Sequence, residues 1–274
     1  MTRLERSVLA LGRVRENLVL PSSASNAYVP VEGMADTLTD ETLLSDGIAV
    51  EVASGRIFVA CSRTFPRDTT PAMLRWWFCR GCKGSEEYRQ WHPSDHFSCS
   101  WYRAQTNARG VEGDTHFVSE ALGSDSGARP QTLRIQFKPL STYGVPAELG
   151  DEVKLAARVG LWDLALGGWI DVGHFIHFTQ TQQEGGFVLQ SRFWLGDIDL
   201  PQDNYYPTLL KRPLRRLLNT RKVRSFAARF IDGRQSLFHL GLANYRHASE
   251  EFGVLATFLA EAFQEDDAQN DSSS

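Results

Sequence analysis

Two fragments rich in metal-ligating side chains lie about 150 residues apart: Tyr88-Arg89-Gln90-Trp91-His92-Pro93-Ser94-Asp95-His96, and His247-Ala248-Ser249-Glu250-Glu251. A fold that uses both must bring the first third of the chain against its C-terminal end. On a helix, His247 and Glu251 are four apart and project from one face, so an imidazole nitrogen and a carboxylate oxygen can meet one divalent ion. His96 can supply a third ligand. Three or more N and O donors with a position open to water make a Lewis-acid hydrolase the leading expectation. Pro93 suits a helix start, which would leave His92 outside that helix, so only one of the two histidines need bind. Each fragment alone also has an ordinary reading, as a Trp-rich core segment or as a solvated His/Glu pair.

Composition narrows the classes. With 274 residues, 42% of them apolar, the chain can bury a substantial core without staples. A formal charge of −4 gives no general reason to expect nucleic acid, and no apolar run approaches the roughly 20 residues that span a bilayer. The expected partner is therefore a small molecule, with no nucleic acid and no membrane, and a homodimer through the N-terminal region is allowed for. Cys61, Cys79, Cys82 and Cys99 do not make a disulfide framework, and no apolar signal segment opens the chain, which places it in the cytoplasm. Cys79-x-x-Cys82 has zinc-knuckle spacing but no second pair follows. The basic run Lys211-Arg212-Pro213-Leu214-Arg215-Arg216 with Arg221-Lys222-Val223-Arg224 is interleaved with leucine at helical spacing and reads as a solvated helix face, covering the cavity or a partner subunit. Gly123-Ser124-Asp125-Ser126-Gly127 has Asp where a nucleophile elbow needs its serine.

Along the chain, residues 1–64 read as an N-terminal arm or subdomain, 65–263 as the catalytic domain and 264–274 as a disordered acidic, Ser-rich tail. Ser54-Gly55 marks a hairpin, and Pro71 starts a buried helix carrying Trp76, Trp77 and Phe78 and ending near Gly81. Strands are expected within 115–137 and 169–195, a helix over about 207–219, and one long final helix from near Leu240 through Leu255, Ala256, Leu259 and Phe263. This order predicts an α+β protein, a curved antiparallel sheet gripping a terminal helix.

Four segments in the same order, Met73-Leu74-Arg75-Trp76-Trp77-Phe78, Tyr88 through His96, Ser191-Arg192-Phe193-Trp194-Leu195-Gly196, and His247-x-x-x-Glu251-Phe252-x-x-Leu255-Ala256-x-Phe258-Leu259, resemble the 2,4-diacetylphloroglucinol hydrolase family, phloretin-hydrolase-like enzymes included. The resemblance implies a helix-grip fold similar to Bet v 1 and START proteins. It also implies a zinc-dependent hydrolase that cuts the carbon–carbon bond between an acyl group and a polyhydroxylated aromatic ring. Carried over by position, zinc would be held by His96, Glu120, His247 and Glu251, with Glu112 the competitor for Glu120. Tyr88 would touch substrate, and Glu251 would double as base. His174 and His177 lie three apart on a strand, so only one can face a cavity; His174 is favoured as the catalytic and substrate-binding histidine. Cys99 stands where the family often has an asparagine, Phe178-Thr179-Gln180 departs from its pattern, and a second substrate tyrosine expected near Leu189 or Gln190 is missing. Those departures leave open an isomerase or cyclase of an aromatic metabolite, or a carrier of hydrophobic ligands.

Overall fold

Glycine-marked turns divide the β-branched and aromatic stretches into antiparallel strands. Ser54-Gly55 joins β1 (Gly47–Val50) to β2 (Ile57–Phe65), and Gly185-Gly186 joins β7 (Gly168–Thr181) to β8 (Phe187–Asp199). Gly186 has φ +75 and a Cβ there would lie 2.5 Å from the Phe65 carbonyl oxygen, so this turn needs glycine twice over. The remaining strands are β3 (His96–Tyr102), β4 (Thr115–Glu120), β5 (Gln131–Lys138) and β6 (Lys154–Asp163). In the computed structural model they form one eight-stranded sheet in the order β1-β2-β8-β7-β6-β5-β4-β3, every pairing antiparallel. The structure describes all residues except 24–26, 40–45, 103–109, 124–126, 149–151, 164, 166, 233–235 and 272–274, with backbone alone at 227–232 and 270–271. The centre of the Gly123–Gly127 segment thus lies outside the described residues.

The helices are α1 (Arg3–Asn17), α2 (Pro71–Trp76), α3 (Ser85–Trp91), α4 (Thr208–Leu218), α5 (Arg221–Asp232), α6 (Leu237–Leu255) and α7 (Leu259–Asp271). Pro71 occupies the first turn of α2 and Thr70 caps it by accepting from the Met73 N–H. The chain continues from α2 through one π turn, Trp77–Gly81, which buries Trp77 and Phe78. Helix α6 packs against one face of the sheet, nearest β1 and β2. Gly241 permits that approach: a Cβ there would come within 2.7 Å of Ile48 Cγ2 and 2.9 Å of Ile57 Cγ2. The principal core, with Phe65, Trp77, Phe175, Phe187 and Phe252, fills the space between sheet and helices. This is the helix-grip arrangement.

Three expectations are corrected. The final helix starts at Leu237, capped by Ser236, and stops at Leu255; a turn over 256–258 separates it from α7. The apolar spacing runs on regardless, because Phe258, Leu259 and Ala262 pack into the same core across that turn. The acidic end is helical to Asp271, tied down by Arg3 to Glu265 and by Trp76 Nε1 and Lys83 Nζ to Asp266 (2.9 and 2.7 Å). Charge holds it where apolar content is lacking. Nor does residue 64 divide two bodies. Strands β1 and β2 precede it yet belong to the sheet, Ala10 and Leu11 of α1 join the principal core, and the Val29–Met34 segment covers the outer face, where Trp194 Nε1 donates to the Val29 carbonyl (2.8 Å). Among the described residues no helix is long and apolar enough to cross a membrane.

Candidate metal centre

Helix α3 ends at Trp91 with His92 as its C-cap, so Pro93 follows a helix and does not begin one. The turn over 93–95 delivers His96 as the first residue of β3. The β3–β4 register sets Glu120 directly across from His96. Helix α6 brings up His247 and Glu251 from the opposite side. His96 Nε2 lies 3.3 Å from His247 Nε2, 3.6 Å from Glu251 Oε2 and 3.9 Å from Glu120 Oε2, and His247 Nε2 is 3.9 Å from Glu251 Oε2. A tetrahedral site with arms of ~2.0–2.1 Å has edges of roughly 3.3 Å, so the two nitrogens already stand at ligand spacing. His96, Glu120 and His247 together can hold a metal ion, and Glu251 stands beside them. Glu112, the competing carboxylate, is exposed in the turn before β4.

Around these donors sits a second ring of contacts. His96 Nδ1 is 2.9 Å from the Tyr88 carbonyl, which fixes Nδ1 as the protonated nitrogen and leaves the Nε2 lone pair facing the cluster. His247 Nδ1 is 3.2 Å from Asp95 Oδ2, and the Gly123 N–H donates to the same oxygen at 2.9 Å. His92, Asp95 and His247 also form a possible ligand group. Both nitrogens of His92 are engaged, however: Nδ1 accepts from the Asp95 N–H (3.1 Å) and Nε2 faces Glu250 Oε2 (3.2 Å). Fully buried Glu250 in turn accepts from Arg15 of α1 (2.9 Å) and Arg246 (2.6 Å). His92, Asp95 and Glu250 are thus supports of the site that sequence reasoning did not assign. Their closeness in sequence to His96 and Glu251 was the available signal.

Charge in this pocket is divided unevenly. Burial, with His247 and His92 adding like-charge pressure, drives His96 well below the usual imidazole range, so it is neutral. Burial also opposes charge on His247, but the Asp95 hydrogen bond and the carboxylates of Glu251 and Glu120 outweigh it and hold the ring up at about 9. Burial pushes Glu251 up to about 8 against the pull of His247. Glu250 goes the other way: despite burial, hydrogen bonds from His92, Arg15 and Arg246 hold it down at about 2. In the metal-free cluster, then, His247 and Glu251 carry protons near neutrality, and a dication would take their place.

The site forms one end of a cavity of about 720 Å³ between sheet and α6, within the range of small-molecule sites. Its walls include Trp91, Phe137, Phe175 and Phe193, and Leu218, Val223 and Phe226 line the far end. Tyr88 lines it too, stacked flat on His96 with ring centroids 3.8 Å apart, but its hydroxyl donates to Glu120 and is raised well above the usual phenol range by burial and that carboxylate. Cys99 faces the cavity beside Cys82, and no disulfide joins any of the four cysteines. His174 borders the cavity as well, but its ring is taken up by other partners. Its imidazole turns to the outer face of the sheet, with Tyr143 Oη 3.0 Å from Nδ1, Asp197 Oδ2 2.8 Å from Nε2 and Arg158 alongside. His177 also lines the cavity, its ring between Phe78 and Phe252, with Nδ1 2.9 Å from Ser191 Oγ and burial lowering it to about 3.

Comparison with known proteins follows the same lines. The family described as DAPG hydrolase PhiG domain matches residues 32–264. A 2,4-diacetylphloroglucinol hydrolase from a Pseudomonas species is 25% identical over 263 residues, covering 93% of this chain and 83% of that one. The protein of the same name from Pseudomonas protegens is 24% identical, covering 93% and 80%. Among solved structures, Ara h 8.0201 aligns with a TM-score of 0.32 at 11% identity over 65% of this chain and 97% of that one. With the family match spanning most of its length and including all four converging donors, this chain belongs to the DAPG hydrolase family and is a hydrolase.

Proposed function

We propose that the protein is a zinc-dependent hydrolase that cleaves the carbon–carbon bond between an acyl group and a polyhydroxylated aromatic ring or related polyketide. The observation that carries this reading is the convergence of His96, Glu120, His247 and Glu251 at the inner end of an apolar cavity, in a chain whose relatives are named for 2,4-diacetylphloroglucinol. Two imidazoles and two carboxylates are a donor set that zinc accepts. When bound there, zinc supplies Lewis acidity, polarising the acyl carbonyl and acidifying water.

The chain's own residues account for the rest. Asp95 and the Tyr88 carbonyl aim the two imidazoles, and the Tyr88 hydroxyl holds Glu120, so Tyr88 serves as a positioning residue. Glu251, buried on the cavity wall, is placed as the base that takes a proton from water as its oxygen bonds to the acyl carbon, and returns that proton to the ring carbon as the acyl bond breaks. That carbon can leave with the electron pair only because flanking ring hydroxyls let it collapse into an enolate, so substrate hydroxyls matter as much as the protein. Of the two β7 histidines that line the cavity, His177, held neutral by burial and not engaged by a charged partner, is the one placed to contact them. The aromatic walls keep bulk water from the ring. Four reduced cysteines fit a reducing cytoplasm, and Leu4, Val8 and Leu9, exposed on α1, fit a homodimer through the N-terminal region.

The test is incubation of zinc-loaded and chelator-stripped protein with mono- and diacetylphloroglucinol, followed by mass spectrometry. Zinc-dependent release of acetic acid is expected, falling steeply when the hydroxyls beside the acyl group are methylated. A product of unchanged mass would replace the hydrolase with an isomerase, and acid release that survives stripping would refute the zinc mechanism.

A further inference from the structure

Helices α4 and α5 lie across the far end of the cavity. Their inward residues Leu214, Leu218 and Val223 pack with Ile170, Val172, Ile198 and Leu200. The flank of α4 that adjoins this inward face is unlike a solvated one. Leu209, Leu210 and Leu217 are 90, 51 and 58% exposed, and Phe226 of α5 is 60% exposed. Leu210, Pro213 and Leu217 fall at i, i+3 and i+7, one continuous stripe of α4. Beside it, Arg212, Arg216, Arg221 and Lys222 are exposed, and none forms an ion pair among the described residues. Eight of the 29 lysines and arginines lie between Thr208 and Asp232 against a single acid, in a chain with a net charge of −4.

We propose that α4 and α5 dock the protein on the surface of an anionic lipid bilayer, leucines and Phe226 entering the headgroup boundary and the four cations engaging lipid phosphates. An apolar stripe flanked by Lys and Arg is the pattern of helices that lie in the interface plane, and a local basic field on an acidic protein orients only this face toward a negative surface. Two alternatives fit less well. A two-fold dimer through this face would bring the cations of one copy against those of the other, and a nucleic acid would use the arginines but have no use for the leucines. The placement has a functional sense: Phe226 is exposed on one side and lines the cavity on the other, so docking sets the cavity mouth against the membrane. The proposal does not depend on which reaction the metal site performs.

The test is co-flotation of the purified full chain with vesicles of phosphatidylcholine alone or mixed with phosphatidylglycerol. Binding to the phosphatidylglycerol vesicles is expected, weakened by salt and weakened at least about tenfold by Arg212→Glu/Arg216→Glu. Leu210→Ser/Leu217→Ser, which keeps every charge and touches no cavity residue, should also lose it, with circular dichroism confirming an intact fold. No flotation with phosphatidylglycerol vesicles would overturn the proposal, as would flotation that the leucine variant retains in full. So would a wild-type dimer that the leucine variant splits while vesicle binding is absent, or duplex DNA binding lost by the arginine variant and kept by the leucine variant.

Discussion

Replacing Asp95 by Asn keeps its size and the hydrogen bond from Gly123 but removes the charge 3.2 Å from His247 Nδ1. That carboxylate makes His247 more basic toward a metal and toward a proton alike, so the effect on zinc affinity depends on pH. Losing such an outer partner weakens metal binding about 10–100-fold, or about 1.4–2.7 kcal/mol. In the wild type, however, zinc must displace a proton from a ring held up at about 9, which at pH 7 weakens apparent affinity by roughly 100-fold. In Asp95→Asn the ring falls back toward its ordinary range and that competition fades. The variant should therefore bind zinc 10–100-fold more weakly at pH 9 and nearly as well as wild type at pH 7. Competition against a chromophoric chelator across this range measures both. Equal affinity at pH 9, or a larger deficit at pH 7 than at pH 9, refutes the assigned role of Asp95. The metal-free stability offers a second check. A histidine raised in the folded state contributes stability fully present below its unfolded value of about 6.5 and lost as pH rises through about 9, so the variant should unfold more readily than wild type at pH 6 and comparably above pH 9.

Glu120→Gln should cost at least about tenfold in zinc affinity, while Glu112→Gln, at an exposed turn residue, should leave it unchanged; the reverse pattern would reassign the ligand. His177 is lowered in the folded state to about 3, so it contributes stability above about 6.5 that is lost as pH falls toward 3. His177→Phe should flatten the acid limb of the Tm-versus-pH curve by up to about 4 kcal/mol, and an unchanged slope would place that acid sensitivity elsewhere. His174→Ala should leave turnover of acetylphloroglucinols intact yet destabilise by about 1–3 kcal/mol by stripping Tyr143, Arg158 and Asp197 of a partner; a selective loss of turnover would restore it to the site. Gly241→Val presses on Ile48 and Ile57 and should lower stability by about 1–3 kcal/mol, which thermal unfolding will show; no change in Tm would mean that α6 is not seated so closely.

The closeness of His247 and Glu251 was legible because their spacing carries geometry: four residues on a helix put them side by side whatever lies around them, whereas Glu120 was reached only through the family resemblance. The choice between His174 and His177 was not legible. Strand parity separates them, but β7 is buried on both faces, Phe175 toward α6 and Ile176 toward the N-terminal segment, so no polar and apolar alternation tells inside from outside. The separate N-terminal body failed for a related reason. A segment such as Tyr28–Met34 shows its few apolar residues without showing the sheet that they cover. The supports Asp95 and Glu250 depend on how the α3 cap and α6 meet, a tertiary fact with no period in the sequence. The break at 256–258 was hidden because the apolar rhythm passes through it undisturbed.

His96 and Glu120 face each other at the open end of the β3–β4 hairpin, away from the connection between the strands. Residues can therefore be gained or lost in that connection over evolution without parting the two ligands, provided that the ladder keeps its register. Their separation along the chain is a poor guide to kinship. The helical half of the site has no such slack: one residue inserted between His247 and Glu251 would swing the carboxylate about 100° around α6, and one slipped into β4 would turn Glu120 to the other face. Grafting or redesign of this centre thus has freedom in the β3–β4 connection and none within β4 or between His247 and Glu251 of α6.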